Sequence, residues 1–290
     1  MRFGGYFPGL GPAPHYGFAT WFDGLGFQID WAKRLGWRCL LPTGFRDWDA
    51  ERQREAVARL ARHDLVVPGL GAYAHNMLHP DPAIRAEHVR AICRLVERAG
   101  AIGVHSVETV AGSRHRDVSY AAATGNREPA AWDEFVSGCR EVCAACAGSG
   151  VRFTLEPVVG TLLDSPAAIR RALDAVARPE ALAINFDLVN FATPELAADL
   201  NPIVDELIEV AGGAIGLLHL KDVRYDPLRR VTFVEEVTPG QGTVDFGHWL
   251  GCVHALGLDV PAFMEHLDDL PQMAAAWSHI RREAARVGAL

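Results

Sequence analysis

No apolar run in this chain reaches the length that crosses a membrane, and its Lys and Arg residues do not gather into a cluster. The first absence excludes a transmembrane helix of the usual kind. The second, with 28 Lys+Arg against 36 Asp+Glu and a formal net charge of −8, removes the electrostatic footprint that a nucleic acid partner requires. No positively charged leader precedes an apolar core, because Met1 to Phe7 already reads as a strand; a cytoplasmic protein is the expectation. No Gly-x-Gly-x-x-Gly follows that strand and no phosphate loop is present, which counts against a dinucleotide-binding open sheet. Cysteine is limited to positions 39, 93, 139, 143, 146 and 252. Cys139, Cys143 and Cys146 fall on one face of a helix and contain a Cys-x-x-Cys, but small buried hydrophobes are the expected role, since a structural zinc needs a fourth ligand.

The chain of 290 residues is 49% hydrophobic, enough to bury one large core. Apolar, mostly non-alternating segments are expected as strands at 1–7, 37–41, 65–70, 101–110, 151–156, 182–187, 214–221 and 260–265. Helical patterns follow them, ending near 35–36 and spanning 49–62, 82–99, 129–147, 165–176, 245–256 and 271–287. Between strands six and seven the helix is expected in two pieces, starting at Thr193-Pro194 and Asn201-Pro202, where a cap residue precedes a proline. Residues 112–127 form a polar loop, and an excursion at 224–242 contains Val231-Thr232-Phe233-Val234. Eight strand–helix units without a linker, in about 250 to 300 residues, have the dimensions of a closed (β/α)8 barrel, so the fold class is α/β, a single TIM barrel over 1–290.

Four strands end in a residue that can ligate a metal: Phe153-Thr154-Leu155-Glu156, Ile184-Asn185-Phe186-Asp187, Leu217-Leu218-His219-Leu220-Lys221-Asp222, and Ala262-Phe263-Met264-Glu265. Barrel sites form at the carboxyl ends of strands, and neighbouring strands stand about 5 Å apart. Period-two alternation puts Thr154 with Glu156, Asn185 with Asp187, Leu217 with His219, and Phe263 with Glu265 on the inner face. The intervening Leu155, Phe186, Leu218, Leu220 and Met264 are all apolar, as helix-facing positions must be. Three carboxylates and one imidazole suit Mn2+, Mg2+ or Co2+ in a roughly octahedral shell better than a thiolate-rich zinc site does.

On Leu155-Glu156-Pro157, Asp187 with Asn190, His219-Leu220-Lys221-Asp222, Pro239-Gly240-Gln241-Gly242 with Asp245, and Met264-Glu265-His266, the sequence resembles the xylose isomerase-like barrel superfamily. The resemblance covers nearly the whole chain. The branch is that of sugar isomerases and epimerases, containing ketose 3-epimerases and inosose enzymes. It implies that Glu156, Asp187, His219 and Glu265 hold one divalent ion, Mn2+ first, with Mg2+, Co2+ or Zn2+ as alternatives. It also implies that the two glutamates move protons. The expected substrate is a keto sugar or cyclitol, isomerised through an enediolate, with a homo-oligomer compatible with the sequence. One departure is Asn190, where the epimerases often carry His; Asn cannot titrate, so its contact would be positional.

Lys221 shares the face of His219 and is a substrate-contact candidate, with a salt bridge to a rim carboxylate as the alternative. Asp222 points the other way and is expected to brace the rim, and the Pro-Gly-Gln-Gly segment to be a structural turn. His75, Asn76 and Glu108 are pocket-wall candidates, Arg224 can reach back over the mouth, and His266 should face outward. The competing chemistry is a metal-dependent lyase or dehydratase, in which the same enolate expels a β-substituent. A metal nuclease would need more histidine ligands and a basic groove.

Overall fold

The computed structural model describes residues 1–226, 228 and 233–290. Eight strands form one sheet in the order β2 (Cys39–Leu40), β1 (Arg2–Gly5), β10 (Pro261–Met264), β7 (Ile215–Leu220), β6 (Leu182–Asp187), β5 (Arg152–Glu156), β4 (Ser106–Val110), β3 (Leu70–Gly71), and eight helices accompany them in the chain, among the described residues. The chain is a (β/α)8 barrel, as the strand–helix alternation indicated. It divides into two compact units, one of residues 1–68, 192–204 and 218–290, the other of residues 69–191 and 205–217.

In the first unit β1 (Arg2–Gly5) lies parallel between β2 (Cys39–Leu40) and β10 (Pro261–Met264), and β10 continues onto the end of β7 (Ile215–Leu220). The helices α1 (Leu25–Leu35), α2 (Ala50–Ala61), α7 (Phe246–Ala255) and α8 (Leu270–Arg286) belong here. Their starts are set locally. The Asp49, Asp245 and Asp269 carboxylates accept from Arg52, His248 and Gln272 backbone N–H groups at 2.8, 2.9 and 2.8 Å, satisfying donors that a helix cannot pair by itself. Trp277 on α8 contacts the rings of Phe3 and Trp37 and donates its indole N–H to the Leu35 carbonyl at the end of α1, 2.9 Å away. Phe7 stacks between Trp31 and Trp37 in the core.

The second unit holds β3 (Leu70–Gly71), β4 (Ser106–Val110), β5 (Arg152–Glu156) and β6 (Leu182–Asp187), with α3 (Pro82–Ile102), α4 (Pro129–Ala145) and α5 (Pro166–Val176). Asp81 and Ser165 cap α3 and α5 just ahead of a first-turn proline, where a missing N–H costs nothing. β4 is buried along its whole length and is in register with β5, Glu108 opposite Thr154 and Val110 opposite Glu156. The polar loop at 112–127 is tied down by side chains. Asn76 Oδ1 accepts from the backbone N–H groups of Leu78 and Ser113 and its Nδ2 donates to Ser113 O, while Arg85 and Arg114 both pair with Glu134 on α4.

Three expectations change. The third strand is interrupted: Val66 bridges to Cys39 and only Leu70–Gly71 pairs with β4, because Pro68 between them has no N–H to offer a ladder. The helical piece expected at Thr193-Pro194 is a turn closed by Leu196 and Ala197 N–H groups on Thr193 O, and only α6 (Asn201–Ala211) is helical. The excursion after β7 is an antiparallel hairpin, β8 (Asp222–Asp226) with β9 (Phe233–Val237); Val231 and Thr232 lie outside the described residues.

None of the six cysteines is in a disulfide. Cys139, Cys143 and Cys146 are buried, and burial pushes the Cys143 thiol up to about 12 and Cys146 to about 11. A thiol held protonated is neither a nucleophile nor a ready metal ligand. In the native protein at pH 8, a thiol-reactive dye should label Cys93 and Cys252 and reach the other four only after unfolding; rapid native labelling at Cys143 or Cys146 would contradict the packing of α4.

Candidate functional site

In the second unit the site centres on Glu156, the last residue of β5 and only 5% exposed. Its Oε2 accepts from Tyr73 Oη at 2.5 Å and Asn185 Nδ2 at 3.1 Å, and its Oε1 accepts from Asn190 Nδ2 at 2.6 Å. The donors come from the loop after β3, from β6, and from the turn after β6. Three donors on one buried carboxylate suit its ionised form, since an unpaired buried charge is costly. Asp187 closes β6 fully buried and accepts from Val189 N–H at 3.1 Å. Ser106 and Thr154 hydroxyls meet at 2.8 Å, which fixes Ser106, Glu108, Thr154 and Glu156 on one face by strand alternation.

In the first unit the centre is Glu265, immediately after β10. Its Oε1 lies 3.0 Å from His219 Nδ1, 2.7 Å from Lys221 Nζ and 3.6 Å from His266 Nε2. The parallel register Phe263↔His219 and Met264↔Leu220 makes this meeting unavoidable, because one further residue on each strand sets Glu265 beside Lys221. His219 and Lys221 are 3% and 4% exposed. The buried Lys221 ammonium takes its counter-charge from the partly exposed Glu265 carboxylate, and removing the carboxylate would leave that charge with a poorer partner.

The rim of the first unit is built by Asp222, which starts β8 directly after Lys221. Its Oδ1 accepts from Val223 and Val244 N–H groups at 2.8 and 3.1 Å, and its Oδ2 from Gly240 and Gly242 N–H groups, both at 2.8 Å. The Pro239-Gly240-Gln241-Gly242 segment therefore wraps an internal carboxylate. Gly242 is obligatory, because a Cβ there would lie 2.2 Å from Asp222 Oδ1. The hairpin is tied to the end of β10 by His266, whose Nδ1 lies 3.0 Å from Glu236 Oε1. Its hydrogen bond with Glu236 raises the imidazole above its ordinary value.

The residues expected from sequence thus fall into distinct environments. Glu156 and Asn190 meet, as do His219, Lys221 and Glu265. Glu108 is buried on β4. Arg224 is an exposed rung of the hairpin, paired with Glu235 at 2.5 Å. His75 lies against the ring of His88, and burial, with His88 beside it, holds its imidazole below the ordinary value. Asn76 is committed to the loop hydrogen bonds described above. Sequence reasoning passed over Tyr73 and Glu236; the available signal for Tyr73 was its place two residues beyond a strand end, next to the flagged His75.

Glu156 and Asp187 in one unit, and His219 and Glu265 in the other, each stand at or beside the carboxyl end of a strand and are of residue types that ligate metal ions. The fold and these residues define a (β/α)8 barrel with oxygen- and nitrogen-donor residues at its strand ends. The chain belongs to the xylose isomerase-like TIM barrel family, whose model matches residues 29–285. No protein of curated function matches the sequence. Among solved structures it is similar to a xylose isomerase-like TIM barrel protein from Mycobacterium smegmatis in complex with magnesium (TM-score 0.69, 17% identity, 99% of this chain and 97% of that one). It is also similar to an L-ribulose 3-epimerase (0.67, 15%, 99% and 93%) and to the IOLI protein with a bound zinc atom (0.65, 16%, 99% and 98%). At these identities the likeness is one of fold.

Replacing Asp222 with Ala should lower the unfolding free energy by about 3 kcal/mol or more, since four backbone N–H groups lose a charged acceptor. Asp222→Asn, which keeps one acceptor oxygen, should lose less. Urea unfolding monitored by tryptophan fluorescence measures both, and an unchanged midpoint in Asp222→Ala would remove the bracing role.

Proposed function

We propose that this protein is a divalent-metal-dependent isomerase or epimerase of a keto sugar or cyclitol, working in the cytoplasm. The observation that supports the reading best is the set of ligand-type residues Glu156, Asp187, His219 and Glu265, each at or beside the carboxyl end of its own strand. Its donors fit a hard or borderline divalent ion: all are oxygen or nitrogen, and each glutamate sits among hydrogen-bond donors that suit a carboxylate anion. Mn2+ is the ion proposed, with Mg2+, Co2+ and Zn2+ as alternatives; a bound ion of this kind polarises a carbonyl and stabilises developing negative charge on its oxygen. The magnesium and zinc named for the solved structures above are of the same divalent class.

Glu156 and Glu265 are the acid/base pair in this reading. One takes the proton from the carbon next to the substrate carbonyl, giving an enediolate, and the other returns a proton on the opposite face. Such a positioned carboxylate contributes roughly 10²- to 10⁴-fold in rate. Asp187 and His219 serve as ligands alone. Lys221, held at Glu265, is the substrate-contact residue with the best support, and Glu108 lines the same face as Thr154 and Glu156. Arg224 and His75 have the weaker case, being engaged with Glu235 and His88.

The test is incubation of the Mn2+-loaded protein with ketoses and inososes in D2O. Carbon-bound deuterium in a product of unchanged mass is expected; a product lighter by water would replace isomerisation with elimination. Chelation should abolish turnover and Mn2+ restore it. Glu265→Gln should reduce turnover by at least 10²-fold and weaken Mn2+ binding, and full activity in that variant would overturn the assignment. We also read residues 1–290 as one domain, since β7 begins in one compact unit and ends in the other. A single cooperative unfolding transition, coincident by circular dichroism and fluorescence, is expected.

A further inference from the structure

The carboxylate of Glu156 accepts hydrogen bonds at both of its oxygens. Oε2 accepts from Tyr73 Oη and Asn185 Nδ2. The Tyr73 bond, at 2.5 Å, has the length of a hydroxyl donating to a carboxylate anion. Oε1 accepts from Asn190 Nδ2 at 2.6 Å. Donors at both ends fix the side chain about its last torsion, with Oε2 toward Tyr73 and Asn185.

Tyr73 is itself placed from several directions. Ala72 N–H donates to Glu108 O at 2.7 Å, Thr109 Oγ1 donates to Ala72 O at 3.3 Å, and Ser119 Oγ donates to Tyr73 O at 3.1 Å. The loop that carries the phenol is thus stitched to β4 before it and to the loop after β4 beyond it. A freely moving loop would not present one hydroxyl to one carboxylate oxygen. Asn190 stands in the short turn Val189–Phe191, and its backbone carbonyl accepts from Val159 N–H at 3.1 Å, so its amide too is delivered from an anchored backbone.

We infer that Tyr73 and Asn190 are positioning residues for Glu156: Tyr73, with Asn185, anchors Oε2, and Asn190, bonded to Oε1, sets the plane of the carboxylate. Asn190 accordingly serves the protein's own carboxylate, which is a different task from contacting substrate. The inference rests on the functional reading above for what the oriented carboxylate works on, but the fixed orientation of Glu156 stands apart from it.

Two variants test this. Tyr73→Phe keeps the ring and removes only the hydroxyl; Asn190→Ala removes the amide. Each should weaken Mn2+ binding, measured by calorimetry, by about 10- to 100-fold, and each should lower kcat by a comparable factor while KM stays near that of the parent. Mn2+ affinity unchanged in either variant overturns the inference, and a raised KM at unchanged Mn2+ affinity in Asn190→Ala makes that residue a substrate contact instead. A crystal structure of the metal-free Tyr73→Phe protein should show the Glu156 carboxylate in more than one orientation. A single unchanged orientation overturns the inference whether or not the parent protein turns over a sugar. Parent protein that takes up no Mn2+ overturns the functional reading, and the crystallographic comparison then decides the positioning role by itself.

Discussion

A carboxylate taken out of water must be given donors, and that requirement shapes both compact units. Glu156 at 5% exposure is met by a phenol and two amides, each from a different segment. Glu265 is met by an ammonium and two imidazoles gathered by one strand pair and the residue after it. The donors described at Glu156 are neutral, whereas those at Glu265 carry or can carry positive charge. Two glutamates that look alike in the sequence are thus held by different kinds of donor.

Strand register transmits these demands to the fold. Phe263 lies opposite His219 and Val110 opposite Glu156, so register decides which side chains stand beside each ionisable strand end. A one-residue slip would turn every one of them outward. The apolar neighbours Leu155, Phe186, Leu218, Leu220 and Met264 resist such a slip, since all are buried. The same residues that make the core thus hold the site in place.

Most of the architecture was legible because its signals are local. Capping aspartates before helices, prolines in first turns and apolar runs ending in an ionisable residue act over a few positions and survive in the bare sequence. What was missed depends on distance or on exposure. Tyr73 meets Glu156 across 83 positions, and no spacing rule reports such a meeting. Half of the residues in the two strands of the β8–β9 hairpin are charged, Arg224 against Glu235 among them, and Phe233-Val234-Glu235-Glu236-Val237 does not alternate, so the second strand lacks the pattern by which half-buried strands are read. Pro68 cut the third strand at a point where composition still favoured continuity. The expectation for Asp222 succeeded because period-two alternation after His219 and Lys221 left it only the outward face.

Asp222 also has a meaning for how such a protein can change over time. Its carboxylate gathers the start of the hairpin and the segment that follows it into one closed knot, with one bond to Val223 and three to Gly240, Gly242 and Val244. Exposed rungs of the hairpin, such as the Arg224–Glu235 pair, can change without moving Lys221 or the helix that Asp245 begins. Glu236 is different: it holds His266, whose Nε2 lies 3.6 Å from Glu265 Oε1, so a substitution there carries from the rim to the strand end.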